Sequence, residues 1–266
     1  MLALYQFEAS AFAEKVRLIL DYKHLSYRAI EVTPGIGQLQ VFQLSGQRQV
    51  PVLKDGDRVI PDSTAIALYL EQTYPDRPLL PGDPKQRGLC LALEDWADQV
   101  IVPNARKAMV GALKHHPNFR AALLPDPTPN LLRTLVESVP GELLNWVGTG
   151  VGFGPEEVKT AIHTLQQALE DLSLMLQNSS YLLGEEPTLA DFAVAAATLY
   201  LKFPSSDYLN LPKGIGGKGV PGLADVPESE AFFTWRDRLY ANFRRSRTHS
   251  PSDSGQGTGP TPISID

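Results

Sequence analysis

Residues 49–72 read QVPVLKDGDRVIPDSTAIALYLEQ, and this stretch decides the fold. A short apolar run at 50–53 is followed by an Asp-Gly pair at 55–56, which is typical of tight β-hairpin turns. A second short strand returns from that turn. Beyond Asp62 and Ser63, apolar residues recur at helical spacing. The stretch therefore predicts a strand, a turn, a second strand and a helix capped by one of these two residues.

Two details of this stretch bear on ligand binding. Pro51 lies near the start of a strand, where proline removes a ladder hydrogen bond. A cis Val50–Pro51 bond would turn the Val50 backbone N–H and C=O outward, so that they could pair with an extended peptide. Ser63 lies at a helix N-terminus, which can receive a carboxylate. An edge-strand proline or an ordinary helix cap accounts for either detail alone, but their spacing together favours a docking edge for a small anionic peptide.

The motifs in this stretch are similar to those of a known protein family. Val-Pro-x-Leu, followed by acid-Ser-x-Ala-Ile, resembles the glutathione-binding half of the glutathione transferases. The resemblance implies that Pro51 is cis, that the Val50 backbone pairs with the cysteinyl part of glutathione, and that Asp62 and Ser63 hold its γ-glutamyl carboxylate. Asp62 stands where the family usually has the longer Glu. Gln49 matches a glutamine that contacts glutathione in zeta-like members.

Composition limits the possible partners. The 266 residues carry a formal net charge of −6, which argues against broad nucleic-acid binding. A hydrophobic content of 43% is enough for the core of one large or two small domains. The single cysteine, Cys90, excludes an intramolecular disulfide and fits a reducing cytosol. We see no signal peptide and no apolar stretch long enough to span a bilayer, so the sequence predicts a cytoplasmic protein without a membrane partner.

The first part of the chain predicts alternating strands and helices. A strand at 2–7 is followed by a helix whose apolar stripe leaves Lys15 and Arg17 to one side. A further strand and a short helix precede the stretch at 49–72. This order over residues 1–76 is similar to a thioredoxin-like α/β domain and predicts a mixed four-stranded sheet between helices.

Ser10 lies at the N-cap of the first helix. Its hydroxyl and the positive end of the helix would both favour a thiolate over a thiol, although a helix cap alone would also account for a serine here. The run that begins at Ser10, Ser-Ala-Phe-Ala-Glu-Lys-Val-Arg, resembles the start of the first helix in serine-type glutathione transferases. The resemblance implies that Ser10 is the catalytic residue. Tyr5 lies near the position where the tyrosine-type classes keep their hydroxyl. We rank it below Ser10 as the catalytic residue.

The remainder of the chain predicts helices. We expect a linker at 77–85 and an all-α C-terminal domain at 86–245, whose first helix, over 86–113, is kinked at Pro103. The resemblance implies that this helix lines the pocket for a second substrate. Core packing is the alternative, and it is favoured for the tryptophan of the set. The pocket candidates are Phe12, Trp96, Val100 and Asn104.

Other segments carry no predicted chemistry. Thr188 and Asp191 form a capping box, to which we assign a structural role. Thr128 and the proline after it predict a helix start within the irregular segment 115–155. The adjacent histidines at 115–116 have no acid or cysteine at ligand spacing, so we predict no metal site. We expect the tail, 246–266, to be disordered.

The resemblance implies a cytosolic glutathione transferase active in detoxification. Glutathione would be the co-substrate, its thiolate would attack a small electrophile, and the protein would be a homodimer. A glutathione-dependent isomerase of the zeta kind is one alternative. However, Ala11, Phe12 and Ala13 stand where the zeta signature has further Ser and Cys. The other alternative is a non-catalytic binding module with the same fold.

Overall fold

The computed structural model describes residues 1–32, 37–116, 153–210 and 215–247. The first half contains the strands β1 (Leu2–Gln6), β2 (Tyr27–Glu31), β3 (Val52–Asp55) and β4 (Arg58–Pro61). They form one four-stranded sheet in the order β2-β1-β3-β4. β1 is parallel to β2 and antiparallel to β3, and β3 is antiparallel to β4. The predicted mixed, thioredoxin-like sheet is confirmed.

Three helices accompany this sheet: α1 (Ala11–Tyr22), α2 (Gly37–Ser45) and α3 (Ser63–Thr73). α1 is the crossover between the parallel strands β1 and β2. Its apolar stripe is buried, as predicted. Lys15 and Arg17 lie off that stripe, yet only 1% and 2% of their surface is exposed. Both are buried because acidic side chains pair with them.

The described part of the second half is helical, as predicted. Its α-helices are α4 (Pro84–Trp96), α5 (Val102–His115), α6 (Pro155–Met175), α7 (Leu189–Ala197) and α8 (Pro227–Phe243). A π-helical segment, Ala97–Ile101, separates α4 from α5. Pro103 has no N–H to donate to the carbonyl of Gln99 and crowds that carbonyl. The long helix predicted over 86–113 is therefore interrupted just before its proline.

The connection between α3 and α4 is packed against both halves. Leu79 and Leu80 are buried. Their N–H groups donate to the carboxylate of Glu71 at 2.9 and 3.2 Å. The carbonyl of Leu79 accepts a hydrogen bond of 2.8 Å from the N–H of Leu189, at the start of α7. The predicted linker is thus anchored at Leu79 and Leu80, whose backbone groups are hydrogen-bonded and whose side chains belong to the core.

One hydrophobic core extends across the two halves. α1 packs directly on α7. The ring of Tyr22 in α1 lies 4.9 Å from that of Phe192 in α7 and 5.3 Å from that of Phe243 in α8. The predicted division into residues 1–76 and 86–245 follows the order of the elements, and as a division into domains it stays a prediction.

The end of α8 is tied to α1 by buried charges. Nε of Arg244 lies 3.0 Å from Oε1 of Glu14, and Nη1 of Arg244 lies 2.6 Å from Oδ2 of Asp21. Arg17 forms a second ion pair with Glu14. Burial would raise the pKa of Glu14, but the two guanidinium groups hold it below its usual value. These contacts fix the C-terminal end of α8 against the first half of the molecule.

The predicted capping box is present at the start of α7. The Asp191 carboxylate accepts hydrogen bonds of 2.8 Å from the N–H and the hydroxyl of Thr188, and a third of 2.8 Å from the N–H of Leu182. Burial nevertheless raises the pKa of Asp191 to about 6. The predicted helix at Thr128 and residues 248–266 of the predicted disordered tail lie outside the described residues.

Candidate functional site

A cavity of about 690 Å³ lies between the two halves of the molecule. The first half contributes to its wall Ser10, Phe12, Arg48, Gln49 and Val50, among others. The second half contributes Arg106, Met109, Val110, Leu113, Phe153 and Tyr200. Two separate segments of the chain therefore bring four predicted site residues to the same space: Ser10, Phe12, Gln49 and Val50.

Ser10 is positioned by the start of α1. Its Oγ accepts a hydrogen bond of 3.3 Å from the N–H of Ala13, so it is the helix cap that the sequence predicts. The residue is 6% exposed and lines the cavity. A cap uses a lone pair of the hydroxyl, so the O–H remains available as a donor. Tyr5, the lower-ranked candidate, does not line the cavity. It packs instead against the small cluster that contains Val52.

Val50 and Pro51 lie directly before β3. The peptide bond between them is cis, as the resemblance implies. Within the described ranges, the N–H and C=O of Val50 have no hydrogen-bond partner. A backbone donor and a backbone acceptor are thus available at the cavity wall, the arrangement that pairs with an extended peptide. Gln49, which precedes them, is exposed and lines the cavity.

Asp62 and Ser63 begin α3 at the same end of the sheet as Pro51. Val52 pairs with Pro61 across β3 and β4, so the residues just beyond each, Pro51 and Asp62, lie at one end of the strand pair. Oδ1 of Asp62 accepts hydrogen bonds from the N–H groups of the second and third helix residues at 2.9 and 3.0 Å. Ser63 is 2% exposed. Neither Asp62 nor Ser63 lines the cavity itself.

The predicted second-substrate residues divide into two groups. Phe12 lines the cavity, whereas Trp96, Val100 and Asn104 do not. Trp96 packs against the hydrophobic core, and the Asn104 side chain donates a hydrogen bond of 2.8 Å to the carbonyl of Val100. The prediction continued the face of α4 through a regular helix. The π segment adds one residue to a turn, so the side chains that follow it point in different directions from those predicted.

Sequence reasoning missed the residues that α5 contributes to the cavity. They are Arg106, Met109, Val110 and Leu113. Their spacing of three, four and seven is a helical face, and this signal is present in the sequence. The first residue of this face is an arginine, so a search for purely apolar stripes does not detect the face.

Tyr200 was also missed, and it carries no local signal. It ends the 3₁₀ segment Thr198–Tyr200, which follows α7. Its hydroxyl oxygen accepts a hydrogen bond of 3.4 Å from the N–H of Ala11 at the start of α1. A side chain of the second half therefore contacts the backbone directly beside Ser10.

Charge is unevenly distributed around this cavity. Two cations, Arg48 and Arg106, are among its described lining residues, and no Asp or Glu is. The chain as a whole has a net charge of −6. The cavity is thus locally positive within an acidic protein, which favours anionic ligands.

The described residues hold no cluster of histidine, cysteine and acidic side chains that could bind a metal ion. None of their helices is both long and apolar enough to cross a membrane. Cys90 is fully buried. Burial raises the pKa of its thiol, so the cysteine behaves as a small core residue.

Comparison with known proteins assigns the family. A family model described as the N-terminal domain of glutathione S-transferase matches residues 4–78. Glutathione S-transferase 1 of Dianthus caryophyllus is 30% identical over 197 residues, which cover 72% of this chain and 73% of that relative. The chain belongs to the glutathione S-transferase family.

Further known proteins match over shorter segments or share the fold alone. A zeta-class glutathione S-transferase of Euphorbia esula is 38% identical over 85 residues, which cover 31% of this chain and 38% of that relative. The crystal structure of a β-etherase from Sphingobium sp. strain SYK-6 aligns with a TM-score of 0.64 over 90% of this chain and 95% of that one. Its sequence identity is 21%, so this likeness shows the fold alone.

Proposed function

We propose that this chain is a serine-type glutathione transferase that conjugates the thiolate of glutathione to a small electrophile. The observation that carries the proposal is that Ser10, Gln49 and Val50 line one cavity, with the Ser10 hydroxyl at the N-terminal end of α1. The hydroxyl and the helix end are both suited to an anionic sulfur.

Glutathione would lie along the wall of the first half. The unpaired N–H and C=O of Val50 would bond to its cysteinyl backbone, and Gln49 would contact it from the side. The N–H and hydroxyl of Ser63, at the N-terminus of α3, would receive the γ-glutamyl carboxylate. Asp62 caps this helix through Oδ1, so its other carboxylate oxygen would accept from the γ-glutamyl ammonium group.

The chemistry would begin with ionisation of the bound thiol. A hydrogen bond to a charged partner contributes about 1.5–3 kcal/mol and a helix N-terminus about 0.3–2 kcal/mol. Because one pKa unit is 1.36 kcal/mol, together they can lower the pKa of a thiol of about 8.5 by one unit or more. The sulfur would then attack an electrophile held against the apolar residues of α5, close to the thiolate.

Titration of the near-ultraviolet thiolate band of the glutathione complex tests the role of Ser10. Ser10→Gly removes the hydroxyl at a cost of only a few tenths of a kcal/mol in capping, and Ser10→Thr keeps a hydroxyl. We expect Ser10→Gly to raise the pKa of the bound thiol by about 1–2 units and to lower turnover by about 10–1000-fold. Ser10→Thr should change the pKa of the bound thiol and the turnover much less, because it keeps a hydroxyl. Overlapping titration curves with equal turnover would remove Ser10 from the mechanism.

A glutathione-dependent isomerase of the zeta kind is the second candidate, and the zeta-class relative supports it. Conjugation consumes one thiol per turnover, whereas isomerisation returns it, so thiol titration during turnover separates the two reactions. Ala11 and Ala13 beside Ser10 favour conjugation, because they lack the side chains of the zeta signature. Retention on immobilised glutathione without a thiolate band would instead identify a binding module.

We also propose that the protein is a cytoplasmic homodimer with a role in detoxification. This assignment follows from the family and from the resemblance described above. Light scattering coupled to size-exclusion chromatography measures the oligomeric state directly. A monomeric mass at micromolar concentration would contradict the dimer and leave the proposed chemistry standing.

A further inference from the structure

Arg106 lies on the second-half wall of the cavity, between two aromatic rings. Its guanidinium carbon is 5.7 Å from the ring centre of Phe12 and 5.6 Å from that of Tyr200. No acidic side chain of the described residues forms an ion pair with it. Both distances fall in the range of cation–π interactions, so the two rings hold a solvent-accessible cation at the cavity wall.

The same face of α5 continues as apolar surface. Met109, Val110 and Leu113 follow Arg106 at spacings of three, four and seven and line the same cavity. A ligand along this face would meet apolar side chains along its length and a cation at one end. The planar guanidinium can bond a carboxylate in a bidentate manner, while the rings beside it stack on a flat ligand.

The proposed glutathione contacts leave Arg106 without a role. They come from Gln49, Val50 and Ser63, which belong to the first half, and Arg48 supplies a cation on that wall. Arg106 comes from the opposite wall. It is therefore placed for the second substrate and not for the tripeptide.

We propose that Arg106 determines specificity by selecting electrophiles that carry an anionic group on a flat aromatic or unsaturated frame. This inference rests on the proposed glutathione transfer in the same cavity. The inference concerns only which electrophiles are preferred. The roles of Ser10 and of the glutathione site stay as described. The neighbouring Lys107 supplies an internal comparison, because it carries the same charge on α5 but does not line the cavity.

A matched pair of electrophiles tests the proposal: 4-chloro-3,5-dinitrobenzoate, which is anionic, and 4-chloro-3,5-dinitrobenzamide, which is neutral. In both, the glutathione sulfur forms a bond to the carbon that carries chlorine, chloride leaves with the bonding electron pair, and the thiol proton goes to solvent. The readout is the ratio of kcat/KM for the benzoate to kcat/KM for the benzamide. A ratio cancels changes in folding and in active fraction.

We expect Arg106→Gln to lower this ratio by about 10–100-fold, the scale of losing a charge-assisted bidentate contact. Arg106→Lys, which keeps the charge and loses the planar fork, should fall between wild type and Arg106→Gln. The control variant Lys107→Gln should change the ratio by less than about twofold, because Lys107 does not line the cavity and makes no direct contact with an electrophile bound there. Equal ratios in wild type and Arg106→Gln would overturn the proposal.

Two further measurements separate this inference from the proposed function. Calorimetry with unreactive 3,5-dinitrobenzoate and 3,5-dinitrobenzamide reports the preference even if no conjugation occurs. Tighter binding of the benzoate that is lost in Arg106→Gln would support the inference in that case, and equal binding would refute it. If Arg106→Gln instead raises the KM for glutathione equally with both electrophiles, Arg106 serves glutathione and the inference is wrong while the transferase stands.

Discussion

The ammonium nitrogen of Lys15 lies 2.6 Å from Oε1 of Glu94, and both side chains are almost completely buried. The pair joins α1 of the first half to α4 of the second. Asp98 lies at 2.6 Å from the same nitrogen, and Thr64 donates its hydroxyl hydrogen to Glu94 at 2.6 Å. Burial raises the pKa of Asp98, and Lys15 opposes that rise. One cation thus compensates two carboxylates at the junction of the two halves.

Replacing Lys15 by Met should destabilise the protein strongly, because it leaves two carboxylates in the junction without their cation. We expect the free energy of unfolding to fall by about 3–5 kcal/mol, as measured by urea denaturation. Lys85→Met, at an exposed position of α4, is the control and should stay within about 0.5 kcal/mol of wild type. Equal denaturation midpoints for the two variants would show that the ion pair contributes nothing.

Two helical glycines should respond in opposite ways to the same substitution. A Cβ on Gly111 in α5 would overlap the Cγ1 methyl of Val158 in α6, whereas a Cβ on Gly88 in α4 would meet nothing within 4 Å. Gly88→Ala should therefore stabilise by about 0.5–1 kcal/mol through helix propensity. Gly111→Ala should destabilise by about 1–3 kcal/mol through overpacking.

Thermal denaturation of the two alanine variants measures this difference. Adding Val158→Ala to Gly111→Ala should recover part of the loss, because it removes the methyl group that the new Cβ would meet. The close approach of α5 and α6 would be refuted if Gly111→Ala were as stable as Gly88→Ala.

The buried Asp191 should make stability depend on pH. Its pKa in the folded state is raised from 3.8 to about 6, so folding favours the protonated form. This contribution to stability is fully present below the unfolded pKa and is lost as the pH rises through about 6. At 1.36 kcal/mol per unit, the shift of about 2 units predicts a difference of about 3 kcal/mol.

Asp191→Asn removes this titration and is the reference. We expect the free energy of unfolding of wild type, relative to that variant, to fall by about 2–2.5 kcal/mol between pH 4 and pH 7, because pH 4 already lies just above the unfolded pKa. Parallel stability curves across that range would mean that the three hydrogen bonds to Asp191 fully offset the effect of burial on its pKa and would contradict the prediction.

The glutathione site should depend on the start of α3. The double variant Asp62→Ala/Ser63→Ala should weaken glutathione binding by about 2–4 kcal/mol, because a charged ligand group loses its partners. The control is Asp83→Ala, which removes an equivalent N-cap at the start of α4 and should leave the affinity unchanged. Calorimetry that finds wild-type affinity in a folded double variant would rule out this subsite.

The fold was predictable because its signals are local. The Asp-Gly turn, the apolar run that precedes it and the caps at Ser10 and Asp62 each lie within a few residues of the element they define. Thr188 and Asp191 predicted the start of α7 for the same reason. The burial of Lys15 was not predictable in this way, because it depends on Glu94 and Asp98, which are distant in sequence. Arg17 pairs with the nearby Glu14, but the sequence alone does not show that this pair is buried.

The candidate site was predictable only on its first-half wall. Ser10, Gln49 and Val50 belong to motifs with a characteristic spacing. The choice of Trp96 and Val100 assumed a regular helix, and the π segment before Pro103 changed which residues face the cavity. Tyr200 reaches Ala11 only through the packing of α7 on α1. Such a contact requires the tertiary structure.

The aromatic cluster of Tyr22, Phe192 and Phe243 limits how this chain could be recombined with its relatives. A chimera with its crossover between residues 76 and 84 would combine α1 of one parent with α7 and α8 of another. Three aromatic side chains from two different parents would then have to pack against each other. Chimeras built there would keep this packing with certainty only if all three aromatic positions came from the same parent. The unit that can be exchanged with its interior intact is therefore the pair of halves together.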